Sequence, residues 1–173
     1  NEILNATVVY LRDSDGKICL APKKQNIHKE GKVLLNSQKW NGYGGKQELN
    51  ETILETAVRE LWQESGVCGH KEDLELVARI HFFWPGNEST TSDMVVYFFM
   101  LSKFEGVPQE GIEMGTPQFF TEDEIHELQM MPADKLFLPV LLRGEKITWN
   151  VYLGKTTEDG FVCFEDMKKT PTI

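Results

Sequence analysis

Residues Gly45 to Val67 read GKQELNETILETAVRELWQESGV, a glycine-rich turn followed by a segment whose spacing permits little besides one helix. Thr52 and Glu55 form a T-x-x-E capping box, in which each side chain satisfies a free backbone N–H of the first turn. Leu54, Ala57, Val58, Leu61 and Ser65 recur at helical spacing and give a largely apolar stripe for burial. Gly66 suits the left-handed residue that ends a helix. Glu60, Gln63 and Glu64 then stand at i, i+3 and i+4 and share a face beside the stripe. Like charges one turn apart cost about 0.2–0.5 kcal/mol on an exposed helix, and a cation between Glu60 and Glu64 removes that penalty. Oxygen ligands alone point to Mg²⁺ or Mn²⁺, ions that keep waters and also hold substrate phosphates. For an isolated E-x-x-x-E pair a merely solvated face is the simpler reading.

The joint pattern reverses that preference. Gly45, Glu51, Arg59, Glu60, Glu64, Gly66 and Val67 stand at the spacing G-x5-E-x7-R-E-U-x-E-E-x-G-U, with U aliphatic, and the segment resembles the Nudix box. Gln63 stands where that pattern has glutamate. The preceding Lys39-Trp40-Asn41-Gly42-Tyr43-Gly44-Gly45-Lys46 resembles the W-N-G-F-G-G-K turn of the oxidised purine nucleoside triphosphate hydrolases, the 8-oxo-dGTP diphosphatases. A looser likeness runs through Ile80–Trp84, Glu113-Met114, Met131–Asp134 and Phe137–Leu142.

The resemblance implies a Nudix-type α/β/α sandwich with a mixed sheet, one domain over residues 1–173, and Mg²⁺- or Mn²⁺-dependent hydrolysis of a nucleoside triphosphate to monophosphate and pyrophosphate. It gives Gly45 a backbone carbonyl on the metal, with Glu60, Gln63, Glu64 and Glu113 as further ligands. Of these, Glu60, Glu64 and Glu113 are the candidates to orient or deprotonate the attacking water. Glu51 and Arg59 become a structural pair holding loop to helix. Asn41 and Asp134 resemble residues that hydrogen-bond a purine edge, Phe82 and Trp84 match apolar pocket positions, and Thr7 and Lys23 match pocket and phosphate-tail positions. An amide offers donor and acceptor together, and a buried aspartate with a raised pKa can donate where a carboxylate can only accept. Each residue also has a plainer reading: Asn41-Gly42 is a natural turn dipeptide, Asp134 a solvated loop residue, Phe82 and Trp84 core.

Three positions depart from the resembled pattern. Met131 occupies the place of a base-stacking tryptophan, and Ala133 replaces the first of two adjacent aspartates. Gln63 removes one negative charge, so metal binding is expected to rest on Glu60 and Glu64. The segment from Gln25 to Lys39 is longer than the corresponding family loop and basic (Lys29, Lys32 and Lys39, after Lys24), a lid over the pocket or a solvated loop. Other readings left open are a Nudix hydrolase for ADP-ribose, a dinucleotide or a nucleotide sugar, and a nucleotide-binding module weakened by Gln63.

The rest of the composition sets bounds. A formal net charge of −9 argues against broad contact with duplex nucleic acid, while leaving a small nucleotide bound through metal and a few lysines. No apolar run reaches the ~18 residues of a membrane span, and no signal peptide is visible at the start. Cys19, Cys68 and Cys163 are odd in number and widely spaced, as expected for reduced thiols in an intracellular, cytoplasmic protein. His28, His70, His81 and His126 lack metal-ligand spacing. Nothing in the sequence fixes an oligomeric state.

Beyond the helix, Ala6–Leu11 and Lys17–Pro22 read as a hairpin around Asp13-Ser14-Asp15-Gly16, and Asn26–Lys39 as a long loop. Leu74–Trp84 and Met94–Phe104 read as paired strands around Pro85-Gly86-Asn87. Thr121 and Glu124 form a second capping box, Leu136–Leu142 a short helix, and Ile147–Leu153 with Phe161–Phe164 a last hairpin.

Overall fold

A computed structural model describes residues 2–24, 39–156 and 162–170, with side chains described up to Gly154. The expected loop over 26–38 and the tip of the last hairpin at 157–161 lie outside the described residues. The elements run β1 (Leu4–Leu11), β2 (Ile18–Pro22), β3 (Trp40–Asn41), α1 (Ile53–Ser65), a 3₁₀ turn (Lys71–Asp73), β4 (Glu75–Phe83), β5 (Met94–Leu101), β6 (Gln118–Phe120), α2 (Glu122–His126), α3 (Pro132–Leu142), β7 (Ile147–Thr156) and β8 (Val162–Thr170).

The main sheet has the order β1-β5-β4-β7-β8, and a smaller one the order β3-β2-β6. β1 pairs parallel with β5 and β7 parallel with β4, while β4–β5 and β7–β8 are antiparallel, so the sheet is mixed as expected. β5 reads MVVYFFML, the unbroken apolar run of a strand covered on both faces. Its side chains divide by alternation. Val96, Phe98 and Met100 join Tyr10 and the α3 residues Phe137, Leu138 and Leu141 in one buried cluster. Phe99 and Leu101 join Val9, Leu11 and the α1 residues Ala57 and Leu61 in the other. The helices therefore lie on opposite faces of the sheet.

Both capping boxes form. Thr52 Oγ1 accepts from the Glu55 N–H while Glu55 accepts from the Thr52 N–H, and Gly66 closes α1 with φ +76°. Thr121 and Glu124 do the same for α2. α3 begins at Pro132, earlier than its apolar pattern predicts, because a proline at the first helical position needs no partner for its missing N–H. Among the described residues no helix is long and apolar enough to cross a membrane.

The first hairpin needs correction. Its turn forms, with Asp13 Oδ1 accepting from the N–H groups of Asp15 (3.0 Å) and Lys17 (2.8 Å). Pairing stops at the single bridge Arg12–Ile18, and β2 belongs to the smaller sheet. The other edge of β1 is taken by the glycine-rich turn: Val9 and Tyr43 exchange backbone bonds of 2.6 and 3.0 Å, and the Thr7 N–H donates to the Gly45 carbonyl at 2.9 Å. Only glycine permits that approach. A Cβ on Gly44 would sit 1.7 Å from the Thr7 carbonyl oxygen, and one on Gly42 2.7 Å from that of Val9.

Candidate active site

The turn docked on β1 is also docked on α1. The Gly44 N–H donates to Glu64 Oε1 at 2.8 Å, and a Cβ on Gly45 would meet Glu60 Cδ at 2.5 Å, so both glutamates of the acidic face close on the glycines. Behind them Arg59 forks onto Glu51 through Nε–Oε2 (2.6 Å) and Nη2–Oε1 (3.0 Å). The same guanidinium donates to Glu60 Oε1 (2.7 Å), Gln63 Oε1 (3.2 Å) and the Lys46 carbonyl (3.1 Å). The Arg59 guanidinium, helped by the Thr56 hydroxyl and the Glu48 N–H, draws the Glu51 carboxyl down to about 2 against its own desolvation. Glu51 and Arg59 thus brace loop to helix, and Arg59 additionally orients Glu60.

Lys23, Gly44, Gly45, Glu48, Glu60, Gln63, Glu64 and Glu113 border one open pocket of about 670 Å³. Glu113 arrives on a loop held to the end of β2: the Lys24 N–H donates to the Glu113 carbonyl (2.8 Å), the Gly115 N–H to that of Pro22 (2.7 Å), and Lys24 Nζ lies 2.9 Å from Glu110. Burial pushes the Glu64 carboxyl up to about 7, with the charges of Glu60 and Glu113 adding to the rise and the Gly44 N–H and Lys23 opposing it. Negative charge is thus crowded here beyond what the side chains themselves neutralise.

That surplus fits a hard cation. Among the described residues no three His, Cys, Asp or Glu groups converge as a ready-made metal cage. The donor set is instead the α1 carboxylates, the Gly45 carbonyl with one lone pair left after Thr7, and the Gln63 amide oxygen. Such a set suits an ion that takes part of its shell from water and phosphate.

A second cavity of about 440 Å³ opens between the main sheet and the start of α3. Asn41, Phe82, Trp84, Met131 and Asp134, distant in sequence, all line it. Asn41 Oδ1 accepts from the Gly42 N–H at 2.8 Å, which turns the amide NH₂ into the group available for a ligand. Burial alone pushes the Asp134 carboxyl up to about 7, the behaviour its apolar surroundings dictate. Asn41 and Gly44 border the apolar cavity and the acidic pocket respectively, so one short glycine-rich segment edges both.

This pairing of an acidic helix with a glycine turn has relatives. The NUDIX domain profile matches residues 3–152. The chain belongs to the NUDIX domain family. It is 35% identical over 131 residues to the oxidized purine nucleoside triphosphate hydrolase of Danio rerio, covering 76% of this chain and 75% of that protein. To the mouse (Mus musculus) protein of the same name it is 37% identical over 122 residues, 66% of this chain and 74% of that one. Its fold matches the crystal structure of the MutT protein of Bacillus halodurans with a TM-score of 0.74 at 22% identity, over 99% of this chain and 100% of that one.

Within this NUDIX fold one expected contact residue stands apart. Thr7 borders neither cavity; it is buried under the glycine turn, its hydroxyl without a hydrogen-bond partner among the described residues. Sequence reasoning missed Val8, Met94, Val96, Phe98 and Leu153 as walls of the apolar cavity, and Glu48 and Ile112 at the acidic one. The strand alternation that places Val8 with Tyr10 and Val96 with Phe98 was the available signal. Cys19 and Cys68 are free thiols, and burial pushes that of Cys19 up to about 12.

Proposed function

We propose that this NUDIX hydrolase cleaves oxidised purine nucleoside triphosphates such as 8-oxo-dGTP to the nucleoside monophosphate and pyrophosphate, clearing damaged nucleotides from the precursor pool. The carrying observation is that one short glycine-rich segment edges both cavities: Asn41 lines an apolar cavity large enough for a base, and Gly44 and Gly45 line the oxygen-rich acidic pocket, as a purine with a phosphate tail calls for. The names of the zebrafish and mouse relatives support the substrate class.

In this reading Glu60, Glu64, Gly45, Gln63 and Glu113 hold Mg²⁺ or Mn²⁺, which when bound neutralises phosphate oxygens and lowers the pKa of the attacking water. The chain's own part is positioning and electrostatics. Arg59 fixes the Glu60 carboxylate and Gly44 that of Glu64. The attacking water gives its oxygen to phosphorus, the phosphoanhydride bond breaks, and the water's proton passes to a carboxylate of Glu64 or Glu113. Lys23, on the pocket rim, meets the phosphate tail. Asn41 and Asp134 hydrogen-bond the base edge, while Phe82, Trp84 and Met131 enclose the ring.

Pyrophosphate release measured with Mg²⁺ over a panel of 8-oxo-dGTP, dGTP and ADP-ribose tests this. Turnover of 8-oxo-dGTP well above dGTP is expected. Preferred cleavage of ADP-ribose, or tight binding of every nucleotide without turnover, contradicts the proposal.

A further inference from the structure

We propose that Glu48, on the loop between the glycine turn and α1, is a further metal-ligating residue of the acidic pocket, supplying the charge that Gln63 lacks. The inference rests on the reading that this pocket seats Mg²⁺ or Mn²⁺. Glu48 falls in the variable stretch of the G-x5-E spacing, yet it borders the pocket together with Glu60, Gln63 and Glu64.

The loop holds its backbone in place. The Glu51 N–H donates to the Glu48 carbonyl at 3.2 Å, and the Glu48 N–H donates to Glu51 Oε1 at 3.1 Å. Asn50 takes the left-handed φ of +65° that lets this turn close. One residue earlier, the Gln47 N–H donates to the Asn5 carbonyl (2.9 Å) and its side-chain amide to the Glu51 carbonyl (2.6 Å). The Glu48 side chain, by contrast, is 67% exposed and free to turn toward an ion arriving from solvent.

Arg59 leaves that side chain uncommitted. A guanidinium has five N–H donors. All are given away: Nε and one hydrogen of Nη2 to Glu51, the other to the Lys46 carbonyl, and the two on Nη1 to Glu60 Oε1 and Gln63 Oε1. Glu48 Oε1 stands 3.7 Å from the same Nη1, beyond hydrogen-bond length, and so receives attraction without a donor. No other N–H or O–H among the described residues donates to its carboxylate. One nitrogen thus gathers three oxygens, and they are unequal. Gln63 brings a neutral oxygen with one lone pair left after Arg59. Beyond Glu60, the anionic oxygens at that end of the pocket are those of Glu48, and a hard cation takes charged oxygens first. An exposed ion pair of this length contributes little to stability, so removing its charge should spare the fold.

The test uses the full chain and compares wild type, Glu48→Gln, the Glu48→Gln/Gln63→Glu double variant and Glu72→Gln. The last removes the same charge at an exposed position that does not border the pocket. The readouts are the Mn²⁺ dissociation constant by electron paramagnetic resonance without nucleotide, the Mg²⁺ concentration for half-maximal pyrophosphate release, and the melting temperature. Glu48→Gln is expected to weaken Mn²⁺ and raise the Mg²⁺ requirement about tenfold, with kcat at saturating Mg²⁺ within about twofold. The double variant moves the carboxylate from position 48 to position 63 and should return both to within about threefold of wild type. Glu72→Gln should change neither, and all variants should melt with wild type. A role confined to bracing the loop would not be repaired from position 63. Mn²⁺ binding by Glu48→Gln equal to wild type overturns the inference, as does a loss matched by Glu72→Gln or left unrepaired in the double variant. If wild type itself binds no Mn²⁺, the metal reading beneath it fails first.

Discussion

The Gly44 N–H donates to Glu64 Oε1 at 2.8 Å, joining the turn to the last turn of the helix twenty residues on. Gly45, the next residue, presses its Cα side against the Glu60 carboxylate. Two adjacent glycines thus set the positions of two carboxylates, and neither can acquire a side chain without moving something.

Gly45→Ala would force its Cβ within 2.5 Å of Glu60 Cδ. The carboxylate end yields more easily than backbone, so the fold should survive with a nearly unchanged melting temperature while kcat/KM falls about 100-fold from misplacement alone. Gly44→Ala meets the Thr7 backbone oxygen at 1.7 Å, which cannot yield. That variant should lose more than about 4 kcal/mol, measured by chemical denaturation.

Glu51→Gln breaks the fork with Arg59. Because the Glu51 carboxyl is lowered from 4.5 to about 2, its stabilisation is complete above pH 4.5 and is lost as pH falls through about 2. The variant should be less stable by about 1.5–3 kcal/mol near neutrality and should lack the part of the wild-type acid loss that falls in that window. Denaturant titrations at several pH values check both statements.

Asp134→Asn should behave in the opposite sense. The folded carboxyl is raised from 3.8 to about 7, so the folded state holds a proton that the unfolded state has released. Wild-type stability from this group is present below pH 3.8 and declines as pH rises to about 7. Melting at pH 5 and pH 8 should therefore show the asparagine variant gaining on wild type at the higher pH.

Gln63→Glu adds a carboxylate to the acidic pocket, beside the Arg59 Nη1 that now donates to the amide. The Mg²⁺ concentration for half-maximal rate should fall by about tenfold, since ligand charge count tunes affinity for such ions. Unchanged Mg²⁺ dependence and rate would show that position 63 stays out of the ion's shell.

The helix was legible because its signals are local: Thr52 with Glu55, the Leu54–Ser65 stripe and Gly66 all act within a few turns. The β1–β2 pairing was misread because the competitor for the β1 edge, Tyr43 to Gly45, is distant in sequence and wins through the close approach of Gly42 and Gly44. β3 and β6 are too short, at 2 and 3 residues, to show a period. Asn41, Phe82 and Asp134 were named through the resemblance, but their convergence on one cavity is tertiary. Strand alternation puts Val96 and Phe98 on one face, but that this face borders a cavity is set only by the tertiary packing.

The central claim is that the acidic face of α1 and its glycine turn seat a divalent cation. The most direct check is a Mn²⁺ titration followed by electron paramagnetic resonance, on wild type and on the Glu60→Gln/Glu64→Gln double variant, with pyrophosphate release assayed in parallel. Wild type should bind Mn²⁺ saturably, and the double variant should lose both the bound ion and hydrolysis while melting as a folded protein. Mn²⁺ binding and turnover that persist undiminished without those two carboxylates would contradict the account.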